Sequence, residues 1–137
     1  LIKIIKKLKN KNVNFCKGYR KLNLKASLKR KMPLIRILGA NVLTLFSNIT
    51  TSNYNIKDVT NGLFGLKSDT FKKINIKDLK KDYLFEQDLI FRACKAQIKI
   101  HQINSEVIYS DEESSLSTLG SILPFFVYHI KNFFYKK

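Results

Sequence analysis

Residues 58–66, Asp-Val-Thr-Asn-Gly-Leu-Phe-Gly-Leu, and residues 85–92, Phe-Glu-Gln-Asp-Leu-Ile-Phe-Arg, are the two stretches that decide the fold of this chain. The first begins with turn-forming residues and continues into an alternating apolar run, which predicts a strand that leaves a tight turn. The second predicts a helix that is mostly apolar but begins with two carboxylates. A carboxylate that faces inward from a core-facing helix is costly unless it is paired or takes part in chemistry, so this helix marks a candidate site.

Glu86 is the candidate for chemistry in the second stretch. At about 100° per residue, its side chain lies on the same side of the helix as Leu89, Ile90 and Ala93, which turns it towards the core. The competing interpretation is a carboxylate favoured at the start of a helix by the helix dipole. The sequence leaves both interpretations open.

Asp88 points away from that side of the helix and precedes Arg92 by four residues. This spacing is typical of an ion pair along a helix, which contributes about 0.2–0.5 kcal/mol. The alternative is a second catalytic carboxylate close to Glu86. Both acids are therefore candidate catalytic residues.

Composition predicts one basic globular domain. The chain has 137 residues, of which 45% are hydrophobic, enough for one core. Its 26 Lys and Arg against 10 Asp and Glu give a net charge of +16, which favours phosphates, nucleic acid or an anionic membrane surface as partners. Nucleic acid is the weaker choice, because the aromatic residues gather in the apolar C-terminal segment and do not alternate with cations on one platform.

The cysteines and histidines predict neither a disulfide nor a metal site. Cys16 and Cys94 are far apart in apolar contexts, as expected for buried thiols in a reducing compartment. His101 and His129 lack the spacing of zinc ligands, so we interpret them as structural or surface residues. No stretch reaches the roughly 18 uninterrupted apolar residues of a membrane-spanning helix.

Apolar periodicity predicts five helices. The long second helix is expected to bury one broad apolar face made by Leu34, Ile37, Leu38, Asn41, Val42, Leu45 and Phe46. The predicted helices cover residues 1–8, residues 33–47 with Pro33 in the first turn, residues 68–74 with Ser68 as N-cap, residues from 85 to about 96, and a C-terminal segment with Ser121 as N-cap and Pro124 in its first turn.

Strands are predicted at residues 13–16, 63–66, 98–103 and 107–109. Gly18-Tyr19-Arg20 follows the first of them, and such a strand end is where open α/β sheets bind ligands. The alternation of helices and strands predicts an α/β domain with a sheet flanked by helices.

Two basic segments each allow two interpretations. Residues 21–31, which include Arg30, form either a solvated linker or a flap that folds over a phosphate. The C-terminal helix is amphipathic, aromatic and basic, with Ile122, Phe126, Ile130 and Phe134 repeating every four residues. It either lies in a membrane interface or packs on the domain, and we favour the membrane.

Several of these motifs together resemble the later half of family 2 glycosyltransferases, and most of all the group of polyprenyl-phosphate sugar synthases and polysaccharide-assembly enzymes. Members typically show an Asp-Pro-Thr-Asn/Ser-Gly turn, a Phe-Glu-x-Asp/Glu-Leu helix start and a Tyr-Gly-Asp-Glu-x-Ser-x-Leu segment. The matching stretches here are Asp58-Val-Thr-Asn-Gly-Leu63, Phe85-Glu-Gln-Asp-Leu89 with Arg92, Val107-Ile-Tyr-Ser-Asp-Glu-Glu-Ser-Ser-Leu116, Gly18-Tyr19-Arg20, and Met32-Pro33 with Arg36, Gly39 and Asn41.

The resemblance implies the later half of a GT-A fold, the nucleotide-diphospho-sugar transferase fold: a mixed sheet flanked by helices, then a C-terminal amphipathic helix. It implies sugar transfer from a nucleotide-sugar to a lipid-phosphate or nascent-glycan acceptor, at the cytoplasmic face of the cell membrane, with Mg or Mn as cofactor. Glu86 falls where inverting relatives have an acidic residue near the acceptor, and Arg20 where an arginine meets phosphate. The expected sites are catalytic Glu86 and Asp88, and acceptor- or phosphate-binding Arg20, Arg30, Asp58, Thr60, Asn61 and Gly62.

Residues 1–116 are accordingly interpreted as the acceptor-side part of the transferase domain and residues 117–137 as the interfacial helix. The chain departs from the family pattern by Val59 in place of proline, by Ser110 in place of glycine, and by having no Asp-x-Asp motif. We therefore expect the metal ligands in a missing nucleotide-binding half, and no transfer by this fragment alone. The alternative function is a non-catalytic membrane-surface or nucleic-acid-binding module.

Overall fold

The computed structural model describes residues 1–21, 34–52, 55–105 and 118–134, with backbone only for residues 118–122. Residues 22–31 of the predicted loop at residues 21–31, which include Arg30, lie outside the described residues, and so does the predicted strand at residues 107–109. The described elements in chain order are helix α1 (Ile2–Leu8), strand β1 (Phe15–Tyr19), helix α2 (Leu34–Thr51), strand β2 (Phe64–Leu66), helix α3 (Ser68–Lys73), helix α4 (Phe85–Lys95), strand β3 (Ile100–Asn104) and helix α5 (Thr118–Phe134).

Three strands form a small mixed sheet in the order β2-β1-β3. Strand β1 runs antiparallel to β2 and parallel to β3, with Cys16 opposite Gly65 on one side and His101 on the other. The predicted α/β class, with a mixed sheet flanked by helices, is confirmed. The central position of β1 means that both of its edges are paired.

The two faces of β1 pack against different helices, because successive side chains of a strand point to opposite sides. Phe15 lies in one core cluster with Leu89 and Ala93 of α4, and Cys16 lies in another with Ile4 of α1. The predicted inward direction of Leu89 and Ala93 is thus confirmed. Glu86 follows the same helical row, so it is carried towards the far end of β1.

Strand β1 begins and ends later than predicted. It covers Phe15–Tyr19, whereas the prediction ended it at Cys16, so Gly18 and Tyr19 belong to the strand and only Arg20 follows it. The backbone N–H of Gly18 donates to the Leu63 carbonyl at 2.7 Å, and pairing with β3 continues to Tyr19. A buried lysine at position 17 breaks the apolar alternation by which the strand could have been followed in the sequence.

Helix α2 is longer than predicted, and its predicted core face is wrong. Most of that face is exposed, while the buried side is largely polar. Asn48 explains in part why the polar side of α2 faces inward. Its Nδ2 donates to the Ile56 carbonyl at 2.8 Å, and its Oδ1 accepts from the Ile56 N–H at 3.2 Å. The buried residues are Ile37, Ala40, Thr44, Ser47, Asn48, Thr50 and Thr51, and the exposed large apolar residues are Leu34, Ile35, Leu38, Val42, Leu45 and Ile49.

By length and composition alone, α2 is also the one helix in the described part of the chain that could cross a membrane. A third of its most apolar window is buried inside the protein. The sequence criterion of an uninterrupted apolar run had excluded such a helix, because polar residues recur along its buried side.

Two predicted helix starts are wrong. Ser68 is the first helical residue of α3 and Lys67 its N-cap, without a capping side-chain hydrogen bond. Helix α5 already begins at Thr118, so Ser121 is no N-cap and Pro124 lies inside the helix. The predictions for α1 and for α4, which ends with Ala96 as C-cap, are confirmed.

Helix α5 completes the core between α2 and α4. Phe125 and Tyr128 lie in one cluster with Ile56, Val59, Leu84 and Ile90, so Ile90 faces this cluster and not β1. The rings of Phe46 and Phe126 meet edge to face at 4.7 Å. His129 is buried in the same contact, which confirms its interpretation as structural. Cys16 is buried as predicted, whereas Cys94 is only partly buried.

Candidate functional site

The candidate site lies beyond the C-terminal ends of the parallel strands β1 and β3, where it meets the turn that precedes β2 and the first turn of α4. Open α/β sheets bind ligands at this edge. We call the group the turn site. It consists of Lys17, Arg20, Asp58, Thr60, Asn61, Gly62, Glu86 and Ser105.

Arg20 and Asp58 form its most extensively bonded pair. The Asp58 side chain is fully buried, and it accepts from Arg20 Nε at 2.7 Å, from Arg20 Nη2 at 3.0 Å and from the Arg20 backbone N–H at 3.0 Å. Arg20 Nη2 also donates to Thr60 Oγ1 at 2.6 Å. Burial works to raise the pKa of Asp58, but the hydrogen bonds and charge of Arg20 outweigh it and hold that pKa below its ordinary value.

The turn itself is fixed by its own side chains. Asp58 Oδ1 accepts from the N–H and the hydroxyl of Thr60, and Asn61 Oδ1 accepts from the Leu63 N–H at 3.2 Å. Such bonds two residues along the chain are the reason that Asp and Asn favour turns. Asn61 Nδ2 donates to Ser105 Oγ at 2.7 Å, so the turn is also tied to the end of β3.

Glu86 lies directly against Gly62. A Cβ atom at position 62 would come within 2.6 Å of Glu86 Oε1, so the carboxylate occupies the space that any other residue would fill. Burial raises the pKa of Glu86, the charges of Lys17 and Arg20 oppose that rise, and Asp58 adds to it. A half-buried carboxylate with a raised pKa is a stronger proton acceptor than a free glutamate.

Lys17 is the residue that sequence reasoning missed. It is 1% exposed in the middle of β1, and its Nζ donates to the Asn61 carbonyl. Burial lowers its pKa to about 8, while the charges of Glu86 and Asp58 work to raise it and that of Arg20 to lower it. The only signal in the sequence is a single lysine inside an otherwise apolar strand. Ser105 was missed as well, because it lies just beyond the strand that brings it to the turn.

Asp88 is not brought together with Glu86. It is buried, and its carboxylate accepts from Arg92 Nε at 2.9 Å, from the Lys80 backbone N–H at 2.9 Å and from Tyr128 Oη at 2.7 Å. The predicted ion pair with Arg92 is confirmed, and on its own side of the helix Asp88 lies in a buried contact with α5. Burial works to raise the pKa of Asp88, and the hydrogen bonds, that of Arg92 first, hold it below its ordinary value.

Of the other predicted site residues, Arg20, Asp58, Thr60, Asn61 and Gly62 lie together, and Arg30 is outside the described residues. The described part of the chain holds no group of three or more His, Cys, Asp or Glu side chains that could bind a metal ion. Asp58 is engaged by Arg20, so the turn site does not present the oxygen set that Mg or Mn requires.

No protein-family model matches the chain, and no curated protein or solved structure shows significant similarity to it. The reactions and ligands that suit this site follow from the chemistry of its residues. A carboxylate with a raised pKa stands beside two cations at the ligand-binding edge of the sheet, an arrangement that can take a proton and recognise an anionic group.

Proposed function

We propose that this chain is the acceptor-side part of a glycosyltransferase that moves a sugar from a nucleotide-sugar donor to a lipid-phosphate or nascent-glycan acceptor, in the synthesis of cell-envelope polysaccharide or glycolipid. The observation that carries the proposal is the Glu86 carboxylate against Gly62, beside Arg20, at the edge of the sheet. The resemblance to family 2 glycosyltransferases selects these same residues from sequence alone.

Glu86 acts as the general base when the acceptor is a hydroxyl. The hydroxyl oxygen forms a bond to the anomeric carbon, the bond from that carbon to the nucleotide diphosphate breaks, and the proton passes to the carboxylate. The raised pKa of Glu86 suits this task, because it makes the carboxylate a stronger proton acceptor than a free glutamate. A phosphate acceptor needs no base, and Glu86 then orients the acceptor.

Arg20 is the group that recognises phosphate in this proposal. Its guanidinium is held by Asp58 in a two-point pair, so its direction is fixed before the acceptor arrives. A preorganised guanidinium loses little freedom when it binds an anion, and its bonds to phosphate are charge-assisted. The nucleotide-sugar and its divalent metal are assigned to the nucleotide-binding half that the family resemblance implies.

A lipid-linked acceptor agrees with the surface of the molecule. Helices α2 and α5 pack on each other and both expose apolar residues, which together we call the apolar face. With a net charge of +16, a bilayer with anionic headgroups is the partner that fits both properties. The apolar face consists of Leu34, Ile35, Leu38, Val42, Leu45 and Ile49 of α2, and of Leu123, Val127, Ile130, Phe133 and Phe134 of α5.

Binding to a phosphorylated lipid tests the proposal. We expect the chain to bind nanodiscs that contain a polyprenyl phosphate more tightly than nanodiscs of equal negative charge that contain phosphatidylglycerol. Arg20→Gln combined with Asp58→Asn removes the pair without leaving a buried charge alone. We expect this double variant to lose about tenfold or more of that preference, because charge-assisted bonds contribute about 1.5–3 kcal/mol.

The matched control is Lys72→Gln combined with Asp69→Asn, which removes an exposed ion pair on α3. It should bind both kinds of nanodisc as the wild type does. Equal binding of the wild type to the two lipids would overturn the acceptor proposal and leave a membrane-surface module without catalysis.

A further inference from the structure

Lys17 is a buried cation, and burial of a charge is costly unless other groups compensate for it. Its side chain is 1% exposed, and the residues opposite it in the neighbouring strands, Phe64 and Gln102, carry no charge. It shares a face of β1 with Phe15, which packs on α4. A buried ammonium persists in proteins when it has hydrogen-bond acceptors and a counter-charge.

The hydrogen-bond acceptor is the Asn61 carbonyl, and it leads directly to Glu86. Asn61 precedes Gly62, and the Glu86 carboxylate lies against Gly62 at the distance of a close contact. Lys17 is thus joined to the turn at the residue next to the one that receives Glu86. Strand β1, the turn and helix α4 thus meet where Lys17, the Asn61 carbonyl and Glu86 lie.

The counter-charge of Lys17 is Glu86. The charged groups that act on Lys17 are Glu86 of α4, Asp58 of the turn and Arg20 after β1. Asp58 is already paired with Arg20 by three hydrogen bonds. Within the turn site this leaves Lys17 and Glu86 as the two remaining opposite charges, and each acts on the other before any other charged group.

We propose that Lys17 is a positioning residue for Glu86: its ammonium, fixed on the Asn61 carbonyl next to Gly62, supplies the positive charge that favours the ionised form of the Glu86 carboxylate at this place. The role rests on the proposed function only in that Glu86 is the base. Lys17 itself touches no substrate. Without it, Glu86 would lie in the same half-buried place without this positive charge, and its pKa would rise further above its ordinary value.

The test is a direct measurement of the Glu86 pKa by carbon NMR of glutamate carboxyl groups over a pH series, with Glu86→Gln to assign the signal. In Lys17→Met we expect the Glu86 pKa to rise by about one unit or more, because a nearby opposite charge shifts a carboxyl pKa by roughly 1–3 units. Lys17→Arg retains the charge and should keep the wild-type value. A purely structural role of Lys17 would not move this pKa.

The reciprocal measurement keeps the test valid if Lys17→Met does not fold. In Glu86→Gln, the Lys17 ammonium loses its counter-charge, and we expect its pKa to fall below the wild-type value when followed at the lysine ε-carbon. An unchanged Glu86 pKa in Lys17→Met, or an unchanged Lys17 pKa in Glu86→Gln, would overturn the proposal. These pKa measurements need neither sugar nor lipid. If the Lys17 and Glu86 pKa values depend on each other but the chain shows no preference for polyprenyl phosphate, only the acceptor function is refuted. If the preference is present but the two pKa values are independent, only the role of Lys17 is refuted.

Discussion

At the scale of single residues, the turn site depends on Gly62, which has no side chain and so leaves space for the Glu86 carboxylate. Gly62→Ala would place a methyl group within 2.6 Å of Glu86 Oε1. The atom in the way ends a flexible side chain, so we expect the carboxylate to move towards solvent and the fold to persist. Burial is the largest cause of the raised Glu86 pKa, and the variant should therefore lower that pKa towards its ordinary value. Carboxyl NMR titration measures the change.

The matched control for this variant is Gly39→Ala in α2, where an added Cβ meets no atom within 4 Å. It should leave the Glu86 pKa unchanged and stabilise the protein by about 0.5–1 kcal/mol, as expected for glycine replaced by alanine inside a helix. A Glu86 pKa in Gly62→Ala that equals the wild-type value would contradict the contact between these two residues.

Sequence reasoning found single residues when their chemistry or spacing was distinctive. Arg20, Asp58 and Glu86 were predicted, and the structure brings them together. Lys17 was missed because a lysine in a strand is normally expected at the surface, and its burial depends on where Glu86 and Asn61 lie in three dimensions. Asp88 was given the right partner but the wrong environment, since the Tyr128 hydroxyl that meets it comes from α5, 40 residues along the chain.

At the scale of elements, the contact between α2 and α5 contains a buried titratable group. His129 is 0% exposed, and its Nδ1 lies 2.7 Å from Thr50 Oγ1. Burial lowers its pKa to about 4 from an ordinary value near 6.5. Between these pH values the unfolded chain binds a proton at this histidine and the folded protein does not, so stability should decrease as the pH falls from 6.5 to about 4.

The size of this decrease is on the order of 3–4 kcal/mol at most, at about 1.4 kcal/mol per pKa unit. Urea unfolding at a series of pH values measures it. His129→Phe should remove most of the slope in this range, whereas His101→Gln, on the less buried strand β3, should retain it. A slope that is identical in the wild type and in His129→Phe would show that another group causes the acid sensitivity.

Periodicity predicted the helices but could not say which side of α2 faces inward. The apolar residues of α2 repeat as they would on a core face, and the pattern is the same whether that face meets protein or lipid. What decides the orientation is tertiary. Asn48 binds the backbone of Ile56, and Thr44 Oγ1 accepts from the Val59 N–H at 3.0 Å, so the polar side of the helix holds the segment that leads to the turn.

At the scale of the whole molecule, the apolar face predicts binding to lipid membranes. Leu38→Glu combined with Leu45→Glu would place two carboxylates in the middle of the face on α2. We expect association with anionic liposomes to fall by about tenfold or more, because two leucine side chains no longer enter the bilayer and the added charges are repelled. Co-sedimentation with liposomes measures the effect.

The matched control is Ile76→Glu, which changes an exposed apolar residue that belongs to neither α2 nor α5. One carboxylate at this position should leave liposome binding close to that of the wild type. Unchanged liposome binding by the double variant Leu38→Glu and Leu45→Glu would contradict a membrane role for the apolar face. It would indicate that another protein binds this face.

The predicted α/β class is confirmed. It could be predicted because alternating helices and strands are recognised without tertiary information. The order β2-β1-β3 could not be predicted in the same way, because pairing between Cys16 and His101 joins residues that only the folded chain brings together. Membership of the GT-A fold stays a proposal that rests on the resemblance of motifs.

The bond between Tyr128 and Asp88 has a practical consequence for anyone who wants a more tractable protein. A shortened gene that ends before α5 would remove the exposed aromatic residues of the apolar face, but it would also withdraw Phe125 and Tyr128 from the cluster that contains Val59, the neighbour of Asp58. Detergents that detach α5 would act in the same way. Removing α5 would therefore disturb the core beside the turn site as well as the apolar face.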